Sequence, residues 1–127
     1  MTQTSSLSPI QNRILWGVRI FLALAFAAAG IAKLASAPQM VQVFDAVGLG
    51  QWFRYLTGAI EVAGAVLLLI PVTSFFAGLL LTATMTGAVV THLFVIGGNP
   101  APALVLLAMS AFVAWRQKPA ALLGAAR

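Results

Sequence analysis

Long apolar runs separated by short polar breaks organise this chain. From 14 to 34 the side chains are apolar except at Arg19 and Lys33. That is about the 20 residues an α-helix needs to cross a bilayer core. A second run covers 55–70, a third 75–96 and a fourth 103–115. Pro71-Val72-Thr73-Ser74 makes a tight connection, and the cluster Gly97-Gly98-Asn99-Pro100-Ala101-Pro102 breaks the third run from the fourth. The fourth is short, so its proline-containing start or the residues after Trp115 must help it cross. Residues 38–47 are of another kind. Met40, Val41, Val43, Phe44 and Val47 recur at helical spacing with Gln39, Gln42 and Asp45 between them. The pattern predicts a short amphipathic helix lying at the interface, stopped by Gly48-Leu49-Gly50; a re-entrant turn is the alternative. Residues 1–12 read as a polar lead, unstructured or interfacial, and 120–127 as a frayed tail. The expected fold is all-α: one domain over 1–127, a membrane four-helix bundle with a short amphipathic interfacial segment between helices one and two.

Composition makes lipid the solvent. Hydrophobic residues are 61% of the chain, charged residues 7%, and the mean hydropathy is +1.03; soluble domains run near roughly 45–50% and 25%. A soluble fold of this size buries only about two-thirds of its surface, too little to hide so much apolar area. Arg13, an apolar run and Ala35-Ser36-Ala37 resemble a cleavable signal peptide. The run is longer than such a segment, however, and Lys33 stands just before the would-be cut, so an uncleaved first span is expected.

The net charge of +5 sets seven Lys and Arg against Asp45 and Glu61. The cations cluster at the ends of apolar runs, where they set topology rather than bind nucleic acid. Four spans place both termini on one side, with Arg13, Arg19, Arg116, Lys118 and Arg127; the other side has Lys33 and Arg54, offset by Asp45. The positive-inside rule then makes this a multi-pass protein of the cell membrane with cytoplasmic N- and C-termini. Trp16 and Trp115 mark the inner boundary, Trp52 and Tyr55 the outer. There is no Cys and only one His. Thiol redox chemistry and a bis-His haem within one subunit are therefore excluded, and redox chemistry would need a bound cofactor or a partner.

Glu61 is the residue that needs explaining. A carboxylate near the middle of an apolar span costs about 2.5–3.5 kcal/mol, so it must be protonated, paired or turned to a polar cavity. At 1.5 Å rise per residue it lies about 10 Å inward from Arg54, His92 lies about 6 Å inward from Ile96, and Lys33 is near the outer end of its span. Gly30 shares a face with Lys33, Gly58 and Ala65 with Glu61, and Met85 and Ala88 with His92. Small residues beside each polar group let helices approach. Lys33, Glu61 and His92 are therefore expected to meet in the outer half of the bilayer, with Arg19 on the same face of helix one about 21 Å lower. Such a cluster could relay protons or hold an anionic or carbonyl group. The plainer alternatives are a Glu61 that only locks helices, Lys33 and Arg19 that snorkel to headgroups, and a His92 that only packs. Glu and His fall short of the three protein ligands of a catalytic zinc, no metal site is expected, and no nucleophile with a triad can be assigned.

Arg19, then AFAAAGIAKL (25–34), FDAVGL (44–49), YLTGAIEVAGAVLLLIP (55–71) and MTGAVVTHL (85–93) resemble the DoxX and DoxX-like family of small four-helix membrane proteins. G-x-x-K, T-G-x-x-E and A-x-x-x-H fall in order on successive spans, and the resemblance covers about 19–115. It implies a membrane bundle and a role beside redox systems, as a quinone-reducing subunit or part of a membrane oxidoreductase complex. It points to Arg19, Lys33, Glu61 and His92, and to quinone as the ligand. The absence of Cys departs from any thiol-based version and leaves catalysis by this chain open. Three readings remain: a non-catalytic or quinone-binding subunit with a redox partner protein, a structural or assembly protein without its own ligand, or a small proton-linked transporter, which would have to form a homo-oligomer.

Overall fold

Ser8 starts the first helix. The computed structural model describes residues 7–119, and its first element, α1, runs Pro9–Leu34. The Ser8 hydroxyl accepts from the Gln11 backbone N–H at 3.2 Å, and the Gln11 side chain accepts from the Ser8 N–H at 3.1 Å. With Pro9 at the first helical position, this reciprocal cap closes the helix end. The helix therefore begins at residue 9 instead of 14, and residues 9–12 of the expected polar lead are helical. Residues 1–6 and the tail from 120 onward lie outside the described residues.

α2 spans Pro38–Val47, the bounds of the expected amphipathic segment, and it is a helix rather than a turn. Gly48 ends it at φ 85°, a left-handed conformation that glycine adopts without penalty. Phe44 is its buried side chain and lies 5.9 Å from the Phe53 ring. α3 covers Gln51–Leu68 and so starts before the apolar run at 55. α4 covers Ser74–Thr91 and continues as a π-helical turn, His92–Ile96. α5 runs Ala101–Arg116, with Pro102 in its first turn where its missing N–H costs nothing.

α1 packs along α3 and α4 along α5; sparser contacts join α3 to α4 and α5 to α1, and α2 rests on α3 and the π-helical turn. Leu22, Phe26, Leu68, Leu81 and Val113 meet in the centre, fully buried. Gly64 leaves room for Leu81, whose side chain would lie 2.8 Å from an added Cβ. Among the described residues there is no strand.

The outside is apolar too. Leu24 is 68% exposed and Phe94 79%, and large aliphatic or aromatic side chains face outward on every long helix. α1, and α4 with its π-helical extension (Ser74–Ile96), are long and apolar enough to cross a bilayer. α5 is apolar but has 16 residues, and α3 carries Arg54 and Glu61. Large apolar side chains exposed over so much of the surface mark an exterior suited to lipid.

Candidate functional site

The site begins with two bare backbones. A Cβ on Gly30 would lie 2.7 Å from the Gly58 carbonyl oxygen, and one on Gly58 would lie 2.9 Å from Lys33 Cβ and 3.0 Å from the Gly30 oxygen. Two glycines thus let α1 and α3 touch main chain to main chain, as small residues do in membrane helix pairs. One turn further along each helix stand Lys33 and Glu61. Lys33 Nζ donates to Glu61 Oε1 at 2.9 Å, with the side chains 13% and 3% exposed. Among the described residues this is the only ion pair. The costly carboxylate of α3 is therefore paired across the helix contact, one of the solutions open to it.

Arg54 belongs to the same assembly, although the sequence reading gave it only a boundary role. It is 3% exposed. Its Nη1 amino group donates to the Lys33 carbonyl and to Ser36 Oγ, the latter at 3.0 Å, and Nε donates to Gln51 Oε1 at 2.6 Å. Gln51 in turn donates to Asp45 Oδ1 at 2.8 Å and to the Val41 carbonyl at 3.1 Å. The chain of contacts runs from α2 through the start of α3 to the end of α1. Its signal was available: Arg54, Gly58, Glu61, Ala65 and Leu68 fall at steps of four, three, four and three, one face of a helix.

The other two candidates stand apart. The His92 ring donates from Nδ1 to the Ala88 carbonyl at 2.9 Å, one turn back on its own helix. Among the described residues it makes no hydrogen bond to Lys33 or Glu61, so the expected three-way meeting is formed only by its first two members. Arg19 is 1% exposed; its Nε donates to the Leu68 carbonyl at 2.7 Å and its guanidinium lies 3.8 Å over the Trp16 ring. Leu68 is the last residue of α3, where carbonyls lack helical partners, and a cation there also opposes the helix dipole. Arg19 therefore does not reach lipid headgroups. Among the described residues no three His, Asp or Glu side chains gather as a metal ion would require.

The order and placement of these groups can be set against known proteins. The sequence model of the DoxX-like family matches residues 17–115. The chain belongs to the DoxX-like family. Arg19, Lys33, Asp45, Gln51, Arg54, Glu61 and His92 all fall within the matched stretch. This DoxX-like chain is also similar to the "Putative oxidoreductase CatD" of Bacillus subtilis (strain 168), with 28% identity over 74 residues. The similar region is 58% of this chain and 55% of that protein, so the chain spans about half the length of that relative. No solved structure matches the chain.

Chemically, the pair offers a donor and an acceptor side by side in an apolar setting. An ammonium carries three N–H donors and a carboxylate two accepting oxygens, so neither group is exhausted by the bond between them.

Proposed function

We propose that this DoxX-like protein is a membrane subunit of a redox system, without catalytic groups of its own, that holds the polar head of a quinone-like molecule at Lys33 and Glu61. The observation that carries this is the ion pair buried between two apolar helices. Burying two charges costs several kcal/mol per ion before their attraction is counted, and apolar side chains of equal volume would hold the helices together at least as well. Charged groups inside membranes more often mark a ligand or proton path. Lys33 keeps N–H donors for a ring carbonyl, and Glu61 keeps an oxygen for a hydroxyl. The absence of Cys assigns electron transfer to a bound molecule or a partner protein, in keeping with the word oxidoreductase in the relative's name. Arg19 positions the end of α3 in this reading, and His92 lies outside the seat.

In the same reading all four long helices cross the membrane. α3 and α5 are about 27 and 24 Å long at 1.5 Å per residue, and flanking turns complete the ~30 Å core. Arg13, Arg116 and Lys118 lie at the end where α1 starts and α5 stops, so the positive-inside rule makes that end cytoplasmic.

The test is retention. Protein extracted with native lipid should carry quinone, and Glu61→Gln or Lys33→Met should lower the amount per protein about tenfold or more, the loss of one charge-assisted hydrogen bond. If wild type carries none and added quinone does not bind, the reading is wrong. A second reading, an assembly partner without a ligand, draws on how fully the pair is closed. It expects Glu61→Gln to leave the activity of the partner pathway intact and to change only the abundance of this chain. A proton-linked carrier draws less support, because the relay from Glu61 to His92 is not hydrogen-bonded.

A further inference from the structure

The acids of this chain are both engaged far from its most basic end. Asp45 accepts from Gln51, and Glu61 is paired with Lys33. At the opposite end of the bundle, where α4 begins and α5 stops, Arg116 and Lys118 approach the same indole: 5.2 Å and 5.8 Å from the Trp115 ring centroid. No carboxylate side chain remains in the sequence to neutralise them. Beside them an open groove of about 320 Å³ runs between α4 and α5. Phe75 and Leu79 form one wall, Ala111 and Ala114 the other, and Trp115 and Lys118 close the basic end. Thr82 also lines it, with its hydroxyl hydrogen donated to the Gly78 carbonyl at 2.6 Å. The slot is thus apolar along its length and cationic at its mouth.

We propose that this groove is a seat for one anionic phospholipid: an acyl chain between α4 and α5, its phosphate against Lys118 and Arg116, and the Trp115 indole at the level of the ester groups. Three properties select that occupant. The volume lies at the small end of ligand pockets, roughly 300–1,000 Å³, enough for an acyl chain with the headgroup left outside. Away from its Lys118 end the lining is almost wholly apolar, which suits a hydrocarbon and not a polar metabolite. Two cations beside an exposed Trp at a helix end match the charge and the amphipathic depth of a headgroup boundary. The inference rests on the membrane setting alone and is independent of what Lys33 and Glu61 bind.

The experiment reconstitutes the full chain into vesicles of phosphatidylcholine with one quarter phosphatidylglycerol, re-extracts it in mild detergent, and counts retained lipids by intact-complex mass spectrometry. Wild type should keep one phosphatidylglycerol in preference to phosphatidylcholine. A basic residue near the surface is worth about fivefold in binding to anionic lipid, so Lys118→Gln and Arg116→Gln should each lower retention by about that factor. Leu79→Trp, which fills the groove without touching charge, should abolish retention of either lipid there. Both basic positions lie at a helix end and tolerate Gln, so unchanged helicity by circular dichroism keeps the comparison valid. Equal retention of the two lipids overturns the proposal. So does retention indifferent to all three variants, or a Leu79→Trp effect that appears only as loss of a dimer, which would make the groove a contact between copies.

Discussion

Gly30→Ala tests the contact on which the site is built. The new methyl would lie 2.7 Å from the Gly58 carbonyl oxygen and 2.7 Å from Val62 Cγ2, where ordinary contact begins near 3.4 Å. A backbone oxygen cannot swing aside, so the helices must part by roughly 0.7 Å, the difference between those distances, if α1 is to accept the residue. The Lys33–Glu61 bond lies one turn away. Lengthened by that amount from 2.9 Å it would reach roughly 3.6 Å, outside hydrogen-bonding range. Overpacking of this kind costs about 1–3 kcal/mol, and a loosened ion pair adds to it. Against this stands the helix preference of Ala over Gly, about 1 kcal/mol. The net expectation is a loss of about 1–2 kcal/mol. Gly17→Ala is the control, because its Cβ would meet nothing within 4 Å, and it should be neutral or gain up to ~1 kcal/mol. Reversible unfolding in mixed micelles with rising sodium dodecyl sulfate gives both values. If Gly30→Ala proves as stable as Gly17→Ala, the main-chain contact of α1 with α3 is not as close as described, and the geometry of the pair falls with it.

Other outcomes follow from the same geometry. Lys33→Met leaves Glu61 buried without a partner and should cost about 3–5 kcal/mol, whereas Lys33→Met with Glu61→Met should recover most of it; a double variant as unstable as the single one would contradict the pairing, by the same unfolding assay. Gln51→Ala removes the bonds to Asp45 and Val41, so amide hydrogen exchange over Pro38–Val47 should quicken several-fold while α4 and α5 stay unchanged; equal exchange along α2 would show that packing of Phe44 alone holds it. The natural absence of Cys permits single-site labelling in whole cells: Leu49→Cys should react with an impermeant maleimide from outside and Gln117→Cys only after permeabilisation, and the reverse pattern would invert the proposed orientation.

The helices were legible because each apolar run is long and its breaks are made of Gly, Pro and Ser. Their ends were less so. Apolar patterning cannot see that Ser8 and Gln11 cap α1, because Ser8, Pro9 and Gln11 count as polar or neutral in a hydropathy reading; the cap is a hydrogen-bond device, and it extends the helix past the run. Glu61 and Lys33 could be matched from sequence since Gly30 and Gly58 mark close approach at the right depth. His92 could not be placed, because depth and spacing do not say which neighbour a face meets. On α3 the Gly58–Glu61 side faces α1, while Gly64 faces Leu81 of α4. The change to π-helical winding at His92 also departs from the regular 3.6-residue period on which the face assignment rested. Arg54 was missed for a simpler reason. A charge at the edge of an apolar run looks like a topology signal until a neighbouring helix end, here the Lys33 carbonyl, turns it inward.

α1 and α3 are fastened at three levels: Arg54 on the Lys33 carbonyl, Lys33 on Glu61, and Arg19 on the carbonyl that ends α3. α4 and α5 have no such polar stitching between them in the described residues, and they meet the first pair along thinner seams. The protein is accordingly built as a riveted plank beside a greased one. Mechanical give concentrates along the two joints between planks, so a neighbouring molecule that wedges or clamps those joints would slide the second half without disturbing the riveted half.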